Sequence, residues 1–245
     1  MAYAFRIKDW YAFLGFTLLG MLSSHDLNAI NLLLPAVLLA YAYSINDYFD
    51  KKVRKMFFLI PLLAFLALLP FYSSFRLAVA TAFFVLFTIY SVKPLRLKAF
   101  AYISTLINAV GFPMLFLFGF NSIGSFNFQS ILMFVLLAVF ATIGQIFDEI
   151  LDKKEDLKDK IVSTATSLGR RRSKIFLYAL FLSMILLTGN IFLTDKKFLL
   201  SFIGTTLCSF YFLFFRLERR IDIVTRKLFK NISIALGILY IISLI

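Results

Sequence analysis

Leu32-Leu33-Leu34-Pro35-Ala36-Val37-Leu38-Leu39-Ala40-Tyr41-Ala42-Tyr43-Ser44-Ile45 runs without a charge straight into Asn46-Asp47-Tyr48-Phe49-Asp50. The apolar stretch to which it belongs, 28–45, approaches the ~20 residues that a helix needs to cross the hydrocarbon of a bilayer. Two acids at the end of such a run are expensive unless a cation accompanies them. The stretch therefore sets two expectations: a membrane helix, and a charged site at its mouth.

Composition extends the first expectation to the whole chain. Its 245 residues are 61% hydrophobic and 16% charged, with a mean hydropathy of +0.90. A soluble domain of this length could not hide so much apolar surface, so lipid is the expected solvent. Apolar stretches recur near 10–24, 28–45, 56–73, 77–91, 99–119, 128–147, 175–193, 198–215 and 229–245. They predict an all-α, multi-pass membrane bundle of about nine transmembrane helices, with residues 1–245 forming a single integral-membrane domain. The 32 Phe and 11 Tyr residues serve as core and lipid-facing filler, or in part as the wall of a tunnel for a long hydrocarbon.

The net charge of +13 invites a nucleic-acid reading, but the distribution of basic residues opposes it. Of the 26 Lys and Arg residues, 23 fall at the N-terminus or on alternate connections, from Arg6 and Lys8 to Lys227 and Lys230. Only Arg76, Lys196 and Lys197 lie on the opposite side. This asymmetry predicts a cytoplasmic N-terminus and an external C-terminus. Attraction to anionic headgroups accounts for the positive charge without nucleic acid. Residues 1–24 have the charge and apolar run of a signal peptide but no clean cleavage site, and their removal would break the alternation. Cys208 is the lone cysteine and excludes a disulfide framework. His25 reads as a solvated loop residue.

A second acidic cluster, Glu149-Ile150-Leu151-Asp152-Lys153-Lys154-Glu155-Asp156, follows the sixth apolar stretch. It shares a predicted side with the first, and four spans separate the two, a hint of internal duplication. If both clusters are helical, Asp47, Asp50 and position 54 fall on one face, and Glu149, Asp152 and Asp156 repeat that spacing. Asp148, Asp152 and Asp156 form a second register. Like charges so close on one face disfavour the helix unless a cation binds. Mg²⁺ holding a diphosphate suits two separated acid sets, because it takes only one or two carboxylates alongside waters and phosphate oxygens. The plainer alternative pairs these acids with Lys51, Lys153, Lys154 and Lys158 on a solvated loop.

Asn46 to Asp50 resembles the first aspartate-rich motif of the UbiA-type intramembrane prenyltransferase superfamily, Asn-Asp-x-x-Asp-x-x-x-Asp. Residues 149–156 resemble its second motif. Tyr90-Ser91-Val92-Lys93-Pro94-Leu95-Arg96-Leu97-Lys98 resembles its Tyr-Ser-x-x-Pro-x-Arg-x-Lys segment. Ser163-Thr164-Ala165-Thr166-Ser167-Leu168-Gly169 sits where family members carry a threonine-rich segment ending in Leu-Gly. Three departures stand out: Arg54 replaces the last Asp of the first motif, Glu149 opens the second, and the Arg-Pro-x-Arg-Pro segment that often follows the first motif is missing.

The resemblance implies transfer of a prenyl group from a polyprenyl diphosphate to a small aromatic or lipid-precursor acceptor, with Mg²⁺ as cofactor. It implies active-site connections near 46–55, 90–98 and 148–174, with Asp47, Asp50, Asp152 and Asp156 as catalytic residues. Those four and Glu149 would hold the metal. Asn46, Tyr90, Lys93, Arg96 and Lys98 would bind substrate; Arg54 would join them by holding the diphosphate in place of a metal-bound oxygen, or else neutralise Asp50 and weaken catalysis. Gln145 and Asn108 are candidates to orient the acceptor, or else helix–helix hydrogen-bonding residues. Rival readings are a non-catalytic relative that binds prenyl lipid and a transporter, although acids at span ends suit a transporter's relay poorly. A CDP-alcohol phosphotransferase needs an Asp-Gly pair that this chain lacks.

Overall fold

The computed structural model describes residues 5–50, 52–158, 161–218 and 221–245, apart from the side chains of Lys154 and Glu155. Lys51, Lys160, Arg219, Arg220 and those two side chains, all part of the sequence reading above, lie outside the described residues. Among the described residues every regular element is helical. Six helices among the described residues are long and apolar enough to cross a membrane, and two apolar segments, Met56–Phe71 and Ile103–Phe118, are shorter. Leu63, Leu186, Leu193 and Phe214 stand more than 60% exposed. Water would penalise such a surface and lipid does not.

The chain divides into two compact units, Met1–Leu97 with Gly111–Phe126, and Lys98–Val110 with Asn127–Ile245. The first contains α1 (Ile7–Trp10), α2 (Leu14–Ser23), α3 (Leu33–Phe49), α4 (Met56–Leu68) and α5 (Ser74–Ser91). Helix α6 (Ile103–Gly111) lies almost wholly in the second unit, and α7 (Met114–Phe118) returns to the first. The fifth apolar stretch, expected as one span, is thus two short helices separated at Phe112-Pro113. Pro113 brings no N–H to a helical ladder and is the N-cap of α7, which disfavours continuing α6 through it. The first apolar stretch is likewise short, since α2 has only 10 residues.

Within the first unit, α3 packs on α4 and α5, and α2 packs on α7. The rings of Tyr41, Phe84 and Phe65 stack in series, with centroids 4.6 and 4.9 Å apart. Arg76 is buried and ties three segments together. It donates to Asp26 at 2.6 Å and to the Phe118 carbonyl at 3.1 Å. Helix α2 and the end of α7 approach backbone to backbone. A Cβ on Gly20 would lie 2.0 Å from the Phe116 carbonyl oxygen, and one on Gly119 would lie 2.4 Å from the Met21 nitrogen.

The second unit contains α6, α8 (Phe128–Lys158), α9 (Thr164–Thr194), α10 (Leu199–Tyr211) and α11 (Ile223–Leu244). Its centre is a cluster of four buried rings, one each from α8, α9, the π turn Phe212–Arg216 and α11. Phe181 stacks on Phe212 at 5.1 Å, and Phe229 sets its edge against Phe147 at 5.3 Å and Phe212 at 5.7 Å. Edge-to-face and offset pairs of this kind add to simple burial. Asp222 caps α11 by accepting the Thr225 N–H at 2.8 Å. Ser163 caps α9 by accepting the Thr166 N–H at 3.4 Å.

Gly20→Ala is expected to cost about 1–3 kcal/mol, the usual penalty for forcing atoms into a packed contact. Thermal unfolding of purified protein in detergent would register it as an earlier transition. An unchanged transition would mean that α2 and α7 do not meet this closely.

Candidate functional site

Helix α3 carries the first acids to its end. Asp47 occupies its last turn and is buried, with 6% of its side chain exposed. The helix stops at Phe49, Asp50 is its C-cap, and the Lys52 N–H closes on the Asp47 carbonyl at 2.8 Å. Position 54 is therefore not on the face that continuous helix would have given it. Arg54 is exposed, and the structure gives Asp50 a different cation: Arg96 Nη2, at 3.2 Å. Arg96 has φ 35° and follows a cis Lys93–Pro94 peptide, and its N–H donates to the Val92 carbonyl at 2.7 Å. That tight turn carries the guanidinium to Asp50. Lys93 is exposed, whereas Asn46 and Tyr90 are half-buried.

Asp47 also has a cation, and the sequence reading treated it only as a membrane anchor. Arg6 Nη1 donates to Asp47 Oδ1 at 3.2 Å while its Nε holds Asp9 at 2.8 Å. The guanidinium lies 5.1 Å from the centre of the Tyr43 ring. A buried carboxylate that needs a partner, together with the Arg6–Asp9 spacing, was the available signal. Both acids of the first set are thus neutralised by arginines from their own unit.

The second set lies on α8, which stays helical through Glu149, Asp152 and Asp156 as the absence of Gly and Pro predicts. Its acids have separate surroundings. Asp148 pairs with Arg226 of α11, donor Nη2 to acceptor Oδ2 at 3.0 Å with Nε on the other oxygen. Glu149 is buried and both its oxygens accept hydrogen bonds. Oε1 takes Thr105 Oγ1 at 3.2 Å and Gln145 Nε2 at 3.0 Å, and Oε2 takes the Ala165 N–H at 2.9 Å. Gln145 is therefore engaged with Glu149, and Asn108 donates to the Ser104 carbonyl of its own helix at 2.9 Å.

Asp152 is exposed and Asp156 half-buried. Burial pushes the Asp156 carboxyl up to about 6. A hydrogen bond from Ser163 and the charge of Lys98 oppose the rise, while Asp152 and Glu149 add to it. Lys98 is itself buried, at 6% exposure. The Tyr90–Lys98 segment consequently furnishes Arg96 to Asp50 in one unit and Lys98 to Asp156 in the other.

Among the described residues, no three His, Cys, Asp or Glu side chains converge as a ready-made metal cage. Hard carboxylate oxygens in ones and twos fit Mg²⁺, which keeps waters and substrate phosphate oxygens in its shell. They do not fit a soft or fully protein-ligated ion. Asp47, Asp50, Asp152 and Asp156 have that donor chemistry, Asp47 and Asp50 being already paired with arginines; Asp148 and Glu149 are engaged by protein partners as well.

An all-helical chain with membrane-length helices and two acid sets, each supplied with buried or half-buried cations, is the class that fold and site define. The model of the UbiA prenyltransferase family matches residues 51–235, most of the chain, and the chain belongs to that family. Asn46 to Asp50 immediately precedes the matched residues. A UbiA homolog from Archaeoglobus fulgidus bound to GPP and Mg²⁺ shares the fold, with a TM-score of 0.76, 18% identity and 98% of each chain covered. The same homolog bound to DMAPP and Mg²⁺ gives the same values. A structure of digeranylgeranylglyceryl phosphate synthase has a TM-score of 0.66 at 18% identity, covering 99% of this chain and 94% of its own. No curated protein sequence matches the chain.

Arg96→Ala leaves a nearly buried Asp50 without its cation and is expected to cost about 1–2 kcal/mol, moderated by the partial exposure of the pair. Arg54→Ala is expected to stay within about 0.5 kcal/mol of the parent, as exposed substitutions do. Thermal unfolding of the two variants side by side checks the ordering. Equal losses would return Arg54 to the site.

Proposed function

We propose that this chain transfers a prenyl group from a polyprenyl diphosphate to a small aromatic or lipid-precursor acceptor within the membrane. The observation that carries the reading is a buried Asp47 carboxylate ending an apolar helix, with Asp50 and two arginines beside it, in a chain of the UbiA prenyltransferase family. Mg²⁺ as cofactor is supported by that donor set and by homologs of the same fold that bind GPP or DMAPP with Mg²⁺.

Mg²⁺, when bound, neutralises the charge that builds on the diphosphate as the allylic C–O bond breaks. In the first unit Asp47 and Asp50 would supply oxygens for it and Arg96 would donate to diphosphate oxygens; in the second, Asp152 and Asp156 would supply oxygens and Lys98 would donate. The C–O electron pair leaves with the diphosphate. The acceptor's nucleophilic atom forms the new bond to the allylic carbon and gives up its proton. Apolar and aromatic side chains, such as the stacked Phe13 and Phe112 with centroids 4.0 Å apart, keep water from the allylic cation.

The charge distribution supports nine crossings with a cytoplasmic N-terminus, an external C-terminus and both acid sets on the cytoplasmic side. Positions 52, 122, 158 and 196 are exposed, and the single native cysteine, Cys208, is buried. Single cysteines at these positions should label in two sidedness classes, 52 with 158 and 122 with 196. Opposite sidedness for 52 and 158 would defeat one shared reaction.

The activity is tested with membranes, labelled geranylgeranyl diphosphate and a panel of hydroxybenzoate, naphthoate and glycerol-phosphate acceptors, with and without Mg²⁺. Product is expected only with Mg²⁺, and Asp47→Asn or Asp152→Asn should cut turnover by roughly 10²-fold or more in a folded protein. Saturable diphosphate binding without product from any acceptor would favour a non-catalytic prenyl-lipid binder. Full activity in Asp47→Asn combined with Asp152→Asn would remove these acids from the mechanism.

A further inference from the structure

Glu149 stands out because it is a buried carboxylate in an acidic motif whose oxygens are both directed at protein donors. Its partners come from three segments of the second unit: Gln145 from its own helix, Thr105 from α6, and the Ala165 N–H from the first turn of α9. The network extends further. Thr105 and Thr164 share a hydrogen bond of 2.7 Å between their hydroxyls, and the Tyr102 N–H donates to Thr164 Oγ1 at 2.9 Å. Thr105 spends its one hydroxyl proton on Glu149, so Thr164 must be the donor to Thr105. Proton donation then runs one way, from Tyr102 N–H through Thr164 and Thr105 to the carboxylate. A chain polarised in one direction strengthens each of its bonds. Tyr102 has φ 63°, a left-handed turn between Lys98 and α6 from which its N–H reaches Thr164. A further tie joins the same segments, from the Val162 N–H to the Ala99 carbonyl at 3.3 Å.

Each tied segment begins beside Asp156 in the electrostatics of this unit. Residues 98–105 begin with the buried Lys98, and residues 161–169 include Ser163, whose Oγ donates to Thr166 Oγ1 at 3.0 Å; the Lys98 charge and the Ser163 hydroxyl both oppose the rise of the Asp156 carboxyl. The Ile161 N–H also closes on the Asp156 carbonyl at 2.8 Å.

We propose that Glu149 is a positioning residue that ties residues 98–105 and 161–169 to α8 and so fixes where Lys98 and Ser163 stand relative to the Asp156 turn. It acts on the diphosphate chemistry through those two groups, and to that extent the inference rests on the prenyl-transfer reading. The contribution of the second motif to metal and diphosphate then comes from Asp152 and Asp156. Glu149 is to them what an outer hydrogen-bonding partner is to a ligand, and such partners are worth roughly 10–100-fold in metal affinity.

The test uses the full chain in detergent, with Mn²⁺ and inorganic pyrophosphate as probes and amide hydrogen exchange as a readout independent of activity. Glu149→Gln should speed exchange across 99–105 and 161–169 and raise the Mn²⁺ concentration for half-saturation roughly tenfold, leaving the number of bound ions unchanged. Thr105→Val should reproduce both effects, and Thr105→Ser should restore them. Asp152→Asn should weaken Mn²⁺ binding with exchange unaltered. Unchanged exchange in Glu149→Gln would overturn the proposal, as would the loss of a bound ion, which would make Glu149 a ligand. A parent protein that binds no Mn²⁺ or pyrophosphate would sink the prenyl-transfer reading, and the exchange comparison would still decide whether Glu149 holds the two segments.

Discussion

Negative charge next to hydrocarbon must be matched by donors or cations, and that requirement organises this chain more than any single packing contact. Asp26 is matched by Arg76, Asp47 by Arg6, Asp50 by Arg96 and Asp148 by Arg226. Glu149 is matched without a cation, by one N–H at a helix start and two side-chain donors. Removing one partner from such a pair is costlier than the pair is worth, because an uncompensated charge stays behind. The acids thus fix where helices end and which loops return to them.

The helices themselves were legible because lipid leaves a simple record: apolar stretches with basic residues on alternate connections. What hydropathy did not reveal was where backbone geometry interrupts those stretches. The run from 99 to 119 reads as one span, yet Pro113 divides it into α6 and α7. The first stretch reads as a span although α2 is only 10 residues long. Apolarity averages over a window, whereas a missing N–H acts at one residue.

For the candidate site, the sequence located the acids but not their partners. Periodicity placed Asp152 and Asp156 on a helix that does persist, and it failed at Arg54 because α3 closes on itself at Phe49. Pairings such as Arg6 with Asp47 or Glu149 with Ala165 join positions far apart in the chain or use backbone groups, and no spacing rule reaches them. The Ser163–Gly169 segment read as a motif. Its role in capping α9 and satisfying Glu149 became visible only with the backbone in place.

The boundary between the compact units falls between Leu97 and Lys98, inside a motif that reads as one object. Arg96 belongs to the charge balance of the first unit and Lys98 to that of the second. The peptide linking them is therefore a shared circuit element. A lesion in this short connection, whether a proteolytic nick, a deletion or a grafted loop, would unbalance both acid sets at once, although each is built on a different helix. Length and order in residues 96–98 are constrained twice over, and a designer exchanging loops among relatives should treat them as part of both halves.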